Sequence, residues 1–264
     1  MSLASGVAAR YDRISEVYDE TRKPLSEGAL DRVACVLRSD GSRIILEAGV
    51  GTGRIAGPLQ DRGFDVIGVD LSRGMLSKAK AKGVTRLVLA DFDNPPFNKK
   101  AFDAVLLAHV LHLLEDPAQT FEKLATVAMN EIAVFLRRPD PGRDGAREEV
   151  HRAFRMAASE MGIPLASRYG TWRERYARQS EFLSKFPPTR RITIQDVNGS
   201  DTLRDYLSLV EKGGFGFASE LPGEEFHRLI DRLKQTIDLD KEVRYHRVEE
   251  MLVWVEPNMS FLPH

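Results

Sequence analysis

The sequence has very little cysteine and no strong excess of charge of either sign. Its 264 residues include one cysteine, Cys35, so an internal disulfide is excluded and a reducing compartment is favoured. The formal net charge is −1, which leaves no overall field that would draw the chain to nucleic acid or to an acidic membrane. Because Cys35 lies among Leu30, Val33, Ala34 and Leu37, we expect it to be a small buried residue rather than a reactive thiol.

Long hydrophobic runs are also missing. The longest apolar stretch, 104–114, is interrupted by His109 and His112 and has about half the length needed to cross a bilayer. The first residues lack the basic and apolar regions of a signal peptide. Internal repeats and low-complexity tracts are absent as well. We therefore expect a soluble, cytoplasmic protein that has no membrane partner.

What the sequence does contain is a regular alternation of short apolar runs and helical patterns. Hydrophobic residues make up 42% of the chain and charged residues 29%, which is typical of an ordered domain. Two helices are predicted within 7–38. Five buried strands follow, and helices are predicted in three of the four intervals between them. One of these helices begins after Ser72 and another at Asp116-Pro117. The predicted strands are 43–48, 64–69, 86–90, 102–107 and 131–136. This alternation predicts right-handed βαβ crossovers and a mostly parallel sheet covered on both faces.

The character of the chain changes after Leu136. Residues 137–191 have a helical pattern and carry 13 Lys/Arg against 7 Asp/Glu. Three interpretations stay open: solvated helix faces with pairs such as Glu148 and Arg152, a lid that holds an anionic small substrate, and a contact surface for RNA. The arginines of this segment include Arg137, Arg138, Arg143, Arg147, Arg152, Arg155, Arg168, Arg173, Arg175 and Arg178. A strand, two amphipathic helices and a last strand are predicted beyond it.

The most informative segment is Glu47-Ala48-Gly49-Val50-Gly51-Thr52-Gly53-Arg54, at the end of the first predicted strand. Glycines in a strand-to-helix turn allow positive φ angles and close approach of the backbone to a ligand. The spacing G-x-G-x-G misses the dinucleotide pattern G-x-G-x-x-G by one residue, and no P-loop sequence follows. A carboxylate at Glu47 would repel a phosphate, but it suits a ligand that carries an amino group and a sulfonium charge.

Acidic residues follow the next two predicted strands. Asp70 comes seventeen residues after Gly53, where a carboxylate can accept hydrogen bonds from both hydroxyls of a ribose. Asp91 ends the third strand, where it can accept from an adenine amino group while Phe92 covers the ring. Since the carboxyl ends of the strands in an open α/β sheet meet at one edge, we expect Glu47, Asp70 and Asp91 to share a ligand site there.

These motifs, in this order and together with Phe102-Asp103-Ala104-Val105, resemble those of class I S-adenosylmethionine-dependent methyltransferases. The resemblance is to the group that includes the ubiquinone/menaquinone-biosynthesis type and many small-molecule methyltransferases. The stretch 11–22 also resembles the leading helix of that group, which closes over the cofactor. The match is specific over about 8–136 and weaker afterwards.

The resemblance implies a Rossmann-like three-layer α/β/α sandwich, whose seven-stranded, mostly parallel sheet has the order 3-2-1-4-5-7-6 and an antiparallel last strand. It divides the single domain into an N-terminal helical cap (1–38), a cofactor-binding core (39–136), helical lid insertions (137–188 and 200–242) and final strands (189–199 and 243–256). It implies that the segment from Glu47 through Gly49 and Gly51 to Gly53 holds the amino-acid end of S-adenosylmethionine. The resemblance assigns the ribose to Asp70, with Leu71 beside it, and the adenine to Asp91 and Phe92. It assigns the carboxylate of the cofactor's amino-acid end to Tyr11, Tyr18 and Arg22.

The catalytic signal is weaker than the cofactor signal. His109, just past the fourth predicted strand, either accepts a substrate proton or lines the cofactor pocket through its backbone. Asn94-Pro95-Pro96-Phe97 resembles a motif that binds planar amino nitrogens, but it precedes the fourth strand instead of following it. No Cys, Asp or Glu follows the two histidines at ligand spacing, so we expect no metal. Methyl transfer needs mainly alignment, which can supply roughly 7–11 kcal/mol.

The sequence thus predicts an S-adenosylmethionine-dependent enzyme that transfers a methyl group to a small-molecule acceptor by in-line displacement. An RNA methyltransferase that uses the basic 137–191 segment is one alternative. A non-catalytic protein that binds S-adenosylmethionine is another. The loop spacing disfavours a nicotinamide oxidoreductase.

Overall fold

A computed structural model describes residues 3–138, 145–165, 172–213, 215, 221 and 223–255. The helices are α1 (Leu3–Ile14), α2 (Glu27–Ser39), α3 (Ala56–Asp61), α4 (Arg73–Ala81), α5 (Pro117–Val127), α6 (Gly145–Glu160), α7 (Trp172–Lys185), α8 (Leu203–Glu211) and α9 (Gly223–Thr236). The strands are β1 (Ile44–Ala48), β2 (Asp65–Asp70), β3 (Arg86–Leu89), β4 (Phe102–Ala108), β5 (Ala128–Arg138), β6 (Arg190–Thr202) and β7 (Glu242–Val255).

The strands of the described chain form one seven-stranded sheet with the order β3-β2-β1-β4-β5-β7-β6. β1 to β5 pair in parallel, whereas β7 runs antiparallel to both β5 and β6. The predicted strand order and the antiparallel last strand are therefore confirmed. β6 continues beyond residue 199 to Thr202, because it pairs with the first residues of β7 along its whole length.

Helices cover both faces of the sheet. Residues of α2, α3 and α4 share one hydrophobic cluster with the sheet, and residues of α5 and α7 share a second cluster on the opposite face. β4 lies between the two, with Ala104, Val105, Leu106 and Leu107 at most 1% exposed. Burial of each large side chain of this kind contributes roughly 1.5–3 kcal/mol, which explains why the strand is a continuous apolar run.

Three helices from the second half of the chain pack on one another in a third cluster. Val150 and Phe154 of α6 are buried there against Leu207 of α8 and Leu229 of α9. The other helix of this region, α7, instead packs on the sheet face, where the Phe182 ring lies 5.3 Å from that of Phe121. The division into core and lid segments stays a prediction.

Local sequence explains where several helices begin. The Ser72 hydroxyl accepts a hydrogen bond from the Met75 N–H at the start of α4, and α5 begins at Pro117 after the Asp116 cap, both as predicted. Ser26 caps α2, and Gly28 lies inside its first turn.

The prediction for Cys35 was wrong, because this residue is exposed. The buried stripe of α2 consists of Leu30, Val33, Ala34 and Leu37. A residue next to Ala34 in the chain is rotated by about 100° around the helix axis. Cys35 therefore falls outside the stripe, and the residues three and four positions from it, Asp31, Arg32, Arg38 and Ser39, are exposed as well.

The basic segment 137–191 is less uniformly helical than predicted. Its ends belong to the sheet, since β5 continues to Arg138 and β6 starts at Arg190. The predicted pair is present, with Arg152 Nη2 3.8 Å from Glu148 Oε1. Arg143, Arg168 and the side chains of Arg173 and Arg175 lie outside the described residues. No helix within the described ranges is long and apolar enough to span a membrane.

Candidate functional site

The glycine turn closes the carboxyl end of β1. The backbone N–H groups of Gly49 and Val50 donate to the carbonyl oxygen of Val69 in β2, at 2.8 and 2.9 Å. Gly49 has a φ of +77°, and a Cβ there would stand 2.7 Å from Cγ1 of Val110. Gly51 and Gly53 also have positive φ angles. The turn therefore requires glycine, and it leaves the backbone bare at the sheet edge.

Glu47 lies directly before this turn and is only 2% exposed. The backbone N–H of Ala56, the first residue of α3, donates to its carboxylate. Its Oε2 atom is buried without a hydrogen-bond partner in the part of the chain that the structure describes. Burial raises the pKa of Glu47 to about 8. A buried, incompletely satisfied carboxylate at a strand end is a ready acceptor for a ligand ammonium group.

Asp70 ends β2 and supports the glycine turn from the side. Its Oδ2 accepts a hydrogen bond of 2.8 Å from the Gly51 N–H, and its Oδ1 accepts one of 2.9 Å from the Ser72 N–H. Burial raises the pKa of Asp70. Two accepted bonds leave part of the carboxylate's capacity of about four open to ribose hydroxyls. Leu71 lies half-buried between these partners.

Phe92 lies close to the turn, whereas Asp91 is held by its own loop. A Cβ on Gly49 would stand 3.5 Å from Cε1 of Phe92. Asp91 follows β3, and its Oδ1 accepts from the Asp93 N–H at 2.9 Å. The roles of both residues towards an adenine ring stay predictions, as do all the predicted roles of cofactor-binding residues.

The N-terminal segment brings two tyrosines and an arginine together beside the turn. The rings of Tyr11 and Tyr18 lie edge to face with their centroids 6.2 Å apart. The Arg22 guanidinium lies 4.8 Å from the Tyr18 ring and 4.7 Å from the ring of Phe215. Burial raises the pKa of Tyr11, and the nearby Asp70 carboxylate adds to this shift. The three residues expected near the ligand carboxylate therefore share one region with Asp70.

Two acids that the sequence analysis did not single out anchor this segment. Asp12 Oδ1 accepts hydrogen bonds from the Ser72 hydroxyl at 2.6 Å and from the Gly74 N–H at 2.8 Å. Asp19 Oδ1 accepts from the Thr52 hydroxyl at 2.6 Å. Both lie in the stretch that resembles a cofactor-covering helix, but the one-dimensional pattern does not show which of its polar residues face the core.

His109 follows β4 in an unusual backbone conformation. Its φ is +58°, and its N–H donates to the Phe135 carbonyl at 3.1 Å. Other residues surround the ring on most sides, but 41% of the side chain is exposed. Burial lowers the pKa of His109 to about 4, assisted first by Arg54 and then by Arg137, Arg22 and Arg247. The imidazole is therefore neutral at neutral pH.

Glu249 of β7 also lies at this edge of the sheet, although no sequence pattern predicts it as a site residue. Its Oε2 lies 3.8 Å from Nε2 of His109. It is 7% exposed, and burial raises its pKa. In the sequence it is one acid at the start of a predicted strand. The resemblance places that strand beside the fifth one, but no local pattern gives the register that sets Glu249 opposite Arg137. Within the described ranges no group of three or more metal-ligating residues comes together.

Comparison with known proteins places these motifs in a wider context. Residues 46–131 match a family described as a methyltransferase domain. An uncharacterised methyltransferase of Geobacillus kaustophilus is 34% identical over 123 residues, which cover 45% of this chain and 55% of that protein. The demethylmenaquinone methyltransferase of Renibacterium salmoninarum is 32% identical over 127 residues, 46% of this chain and 53% of that protein. The chain thus spans about half the length of the curated relatives it matches.

Solved structures share the fold at low sequence identity. The YcgJ protein of Bacillus subtilis superimposes with a TM-score of 0.52 and 17% identity over 87% of this chain and 98% of that one. The (4+2)-cyclase SpnF superimposes with a TM-score of 0.51 and 13% identity over 94% and 96%. Because one fold can support more than one reaction, these two structural similarities show a shared fold alone.

Proposed function

We propose that this chain, whose residues 46–131 match a family described as a methyltransferase domain, is a class I methyltransferase that uses S-adenosylmethionine and acts on a small molecule. The observation that carries the proposal is Glu47, whose buried Oε2 atom lacks a hydrogen-bond partner among the described residues. It lies at a three-glycine turn beside Asp70. A carboxylate here disfavours pyrophosphate and favours a cationic amino-acid group.

Different residues at the edge of the sheet fit different parts of such a ligand. Glu47 receives the ammonium group of the cofactor. Asp70, held in place by the Gly51 and Ser72 N–H groups, receives the ribose hydroxyls. Phe92, with Asp91 before it, covers the adenine. The bare backbone between Gly49 and Gly53 allows the ligand to approach without a side chain in the way.

The remaining residues orient the acceptor. When bound, S-adenosylmethionine would supply a methyl group on a positively charged sulfur, and the sulfur would leave as an electron pair of the acceptor atom bonds to the methyl carbon. His109 is neutral near pH 7 because burial and nearby arginines lower its pKa to about 4. It can hydrogen-bond the acceptor, but it is a weak base at this pKa. Alignment of the two reactants, worth roughly 7–11 kcal/mol, therefore carries more of the catalysis than proton transfer.

The first test is calorimetric titration of the full chain with S-adenosylhomocysteine, with NAD as the control ligand. We expect an affinity near the micromolar range, about −8 kcal/mol, and no binding of NAD. Asp70→Ala should weaken S-adenosylhomocysteine binding by roughly 1.5–3 kcal/mol, the scale of a hydrogen bond to a charged group. Asp65→Ala, at the exposed end of the same strand, should leave the affinity unchanged.

Two outcomes would contradict the proposal at different points. Absence of S-adenosylhomocysteine binding would remove the cofactor assignment as a whole. Binding that survives Asp70→Ala unchanged would remove the ribose assignment alone. Methyl transfer to a small-molecule acceptor, measured with a labelled methyl group, then separates an enzyme from a protein that only binds the cofactor.

A further inference from the structure

Residues 18–23, which we call the bridging segment, connect the glycine turn with the second half of the chain. On the side of the turn, Asp19 Oδ1 accepts a hydrogen bond of 2.6 Å from the Thr52 hydroxyl. The Lys23 carbonyl accepts one of 2.5 Å from Nη2 of Arg54. The bridging segment is therefore bound at two points to the glycine turn and to the residue that follows it.

The opposite side of the bridging segment contacts elements from the second half of the chain. Lys212, which directly follows α8, places its Nζ 2.8 Å from Glu20 Oε2. Lys23 Nζ lies 2.8 Å from Asp201 Oδ1 and 4.5 Å from the centroid of the Tyr245 ring. Ion pairs between partly exposed side chains contribute little to stability, so a firmer contact is needed to fix the two parts to each other.

Arg22 makes the contact that joins the two parts most directly. Its guanidinium carbon lies 4.8 Å from the centroid of the Tyr18 ring and 4.7 Å from that of the Phe215 ring. Its Nη1 donates to the carbonyl and the hydroxyl of Thr21, at 3.2 and 2.9 Å. A cation over an aromatic face is attracted by the quadrupole of the ring, more strongly where water is excluded. One ring from each half of the chain therefore restrains the Arg22 side chain.

The Phe215 ring is itself fixed by two helices of the third hydrophobic cluster. It packs against this cluster, with its centroid 5.6 Å from that of Tyr206 in α8 and 6.5 Å from that of His151 in α6. The Tyr206 hydroxyl and His151 Nε2 are joined by a hydrogen bond of 2.9 Å, and Tyr206 is buried. The position of Phe215, and with it the restraint on Arg22, is therefore set by α6 and α8.

Arg22 lies within electrostatic reach of the residues around the glycine turn. Burial dominates the pKa values of Tyr11, Arg54 and His109, but the charge of Arg22 acts on all three. The Asp70 carboxylate acts on Tyr11 as well, so the arginine and this acid share one neighbour. A guanidinium fork matches a carboxylate through two parallel hydrogen bonds. Arg22 is therefore placed to meet the carboxylate of a ligand whose amino-acid end occupies the turn.

We infer that Phe215 is a positioning residue, which keeps the Arg22 guanidinium where it binds the carboxylate of the cofactor's amino-acid end. The inference rests on the proposed function and adds a residue from outside the predicted core (39–136) to the cofactor site. An arginine that moves freely loses rotamer freedom when it binds a ligand, and this cost is smaller when two rings already restrain it. Helices that follow the core in the sequence thus determine how firmly the cofactor is held.

The test compares S-adenosylhomocysteine with methylthioadenosine, which has the same adenine, ribose and sulfur but lacks the amino and carboxylate groups. Both affinities are measured by calorimetric titration of the full chain. Phe215→Leu keeps an apolar side chain and removes the aromatic ring. It should weaken binding of S-adenosylhomocysteine by roughly fivefold, the scale of a partly buried cation–π contact, and leave binding of methylthioadenosine unchanged. Phe215→Tyr keeps the ring and should retain the affinity of the unchanged chain.

Two further variants separate positioning from a general loss of packing. Phe226→Leu removes a ring of α9 that packs in the same cluster, with its centroid 6.5 Å from that of Phe154, and should leave both affinities unchanged. Arg22→Gln should weaken S-adenosylhomocysteine binding on its own. Adding Phe215→Leu to Arg22→Gln should then have no further effect, because the two residues act through one contact.

Hydrogen exchange gives a second measurement that needs no variant. If Phe215→Leu does not fold, amide exchange of the unchanged chain decides the matter. S-adenosylhomocysteine should slow exchange in α8, because a carboxylate bound to Arg22 restrains this helix through Phe215. Methylthioadenosine, which has no carboxylate, should leave exchange in α8 as it is in the free protein.

The inference is overturned if Phe215→Leu weakens both ligands alike or neither, or if Phe215→Tyr behaves like Phe215→Leu. It is also overturned if the effects of Arg22→Gln and Phe215→Leu add in the double variant, or if both ligands protect α8 equally. Each of these results can occur while S-adenosylhomocysteine binds the unchanged chain, and the proposed function then stands. Failure of S-adenosylhomocysteine to bind the unchanged chain is a failure of the proposed function itself.

Discussion

At the residue scale, the surroundings of Glu47 determine whether its side chain is protonated. It is buried at a strand end, and the Ala56 N–H stabilises its ionised form less than burial destabilises it. The result is a pKa raised to about 8, so the free protein holds the proton at and below neutral pH. A cation that binds beside Glu47 reverses this preference, because it stabilises the carboxylate.

Binding of S-adenosylhomocysteine should therefore release a proton from Glu47 below pH 8. At pH 6.5 the ligand's amino group is already charged, so we expect release of close to one proton per molecule bound, falling towards zero above pH 9. Calorimetry at pH 6.5 in buffers of different ionisation enthalpy measures this number. Glu47→Gln should bind more weakly and release none. A binding enthalpy independent of the buffer would refute the role of Glu47.

At the element scale, α1 depends on the start of α4 for its position. Asp12 bonds to both the Ser72 hydroxyl and the Gly74 N–H, so one carboxylate serves as an additional N-terminal cap for α4. Ser15 lies so close to Gly74 that a Cβ on this glycine would stand 2.6 Å from its hydroxyl oxygen. The anchored helix carries Tyr11, which we place beside the cofactor.

Asp12→Ala should release α1 from α4 and weaken cofactor binding with it. Loss of a capping carboxylate costs about 1 kcal/mol of unfolding free energy, and S-adenosylhomocysteine affinity should fall because Tyr11 is held less firmly. Urea unfolding and calorimetry measure the two effects. Arg13→Ala, an exposed neighbour on the same helix, is the control. An affinity equal to that of this control would mean that α1 does not help to hold the cofactor.

At the scale of the whole molecule, two buried acids make stability depend on pH. Glu131 accepts a hydrogen bond of 2.9 Å from the Ser42 hydroxyl, but burial raises its pKa to about 8, as for Glu47. Both acids have an ordinary value of 4.5. Their favourable contribution to the folded state is complete below this value and is lost as the pH rises through 8. The lowered pKa values of His109 and His151 make stability increase with pH instead. This opposite effect falls at pH values below 6.5, the ordinary pKa of histidine.

Between pH 6.5 and 8 the acids act alone, so the free energy of unfolding should decrease as the pH rises. Each carboxyl contributes at most about 1.4 kcal/mol per pH unit. Urea unfolding at several pH values in this window measures the slope, which Glu131→Gln should reduce. Glu242→Gln, at the exposed start of β7, should leave it as it is. A flat or rising profile in the unchanged chain would contradict the assigned direction of both shifts.

The sequence by itself determined the architecture and the place of the ligand. Continuous apolar runs can be buried only between two helical layers, and this predicts the parallel sheet. The glycine turn and the acids at Glu47 and Asp70 lie at strand ends, and strand ends of a parallel sheet share one edge. These features depend on local spacing, which is why they could be predicted without any knowledge of long-range contacts.

Only the tertiary structure decided what depends on contacts between distant segments. Glu249 is a site residue because the register of β7 against β5 and the path of the chain after β4 place it against His109. Asp12 anchors a helix because α1 folds onto α4. Cys35 is exposed because helical phase, rather than its apolar neighbours, decides burial. In each case the role is set by the partner that packing brings, and a linear pattern contains no information about that partner.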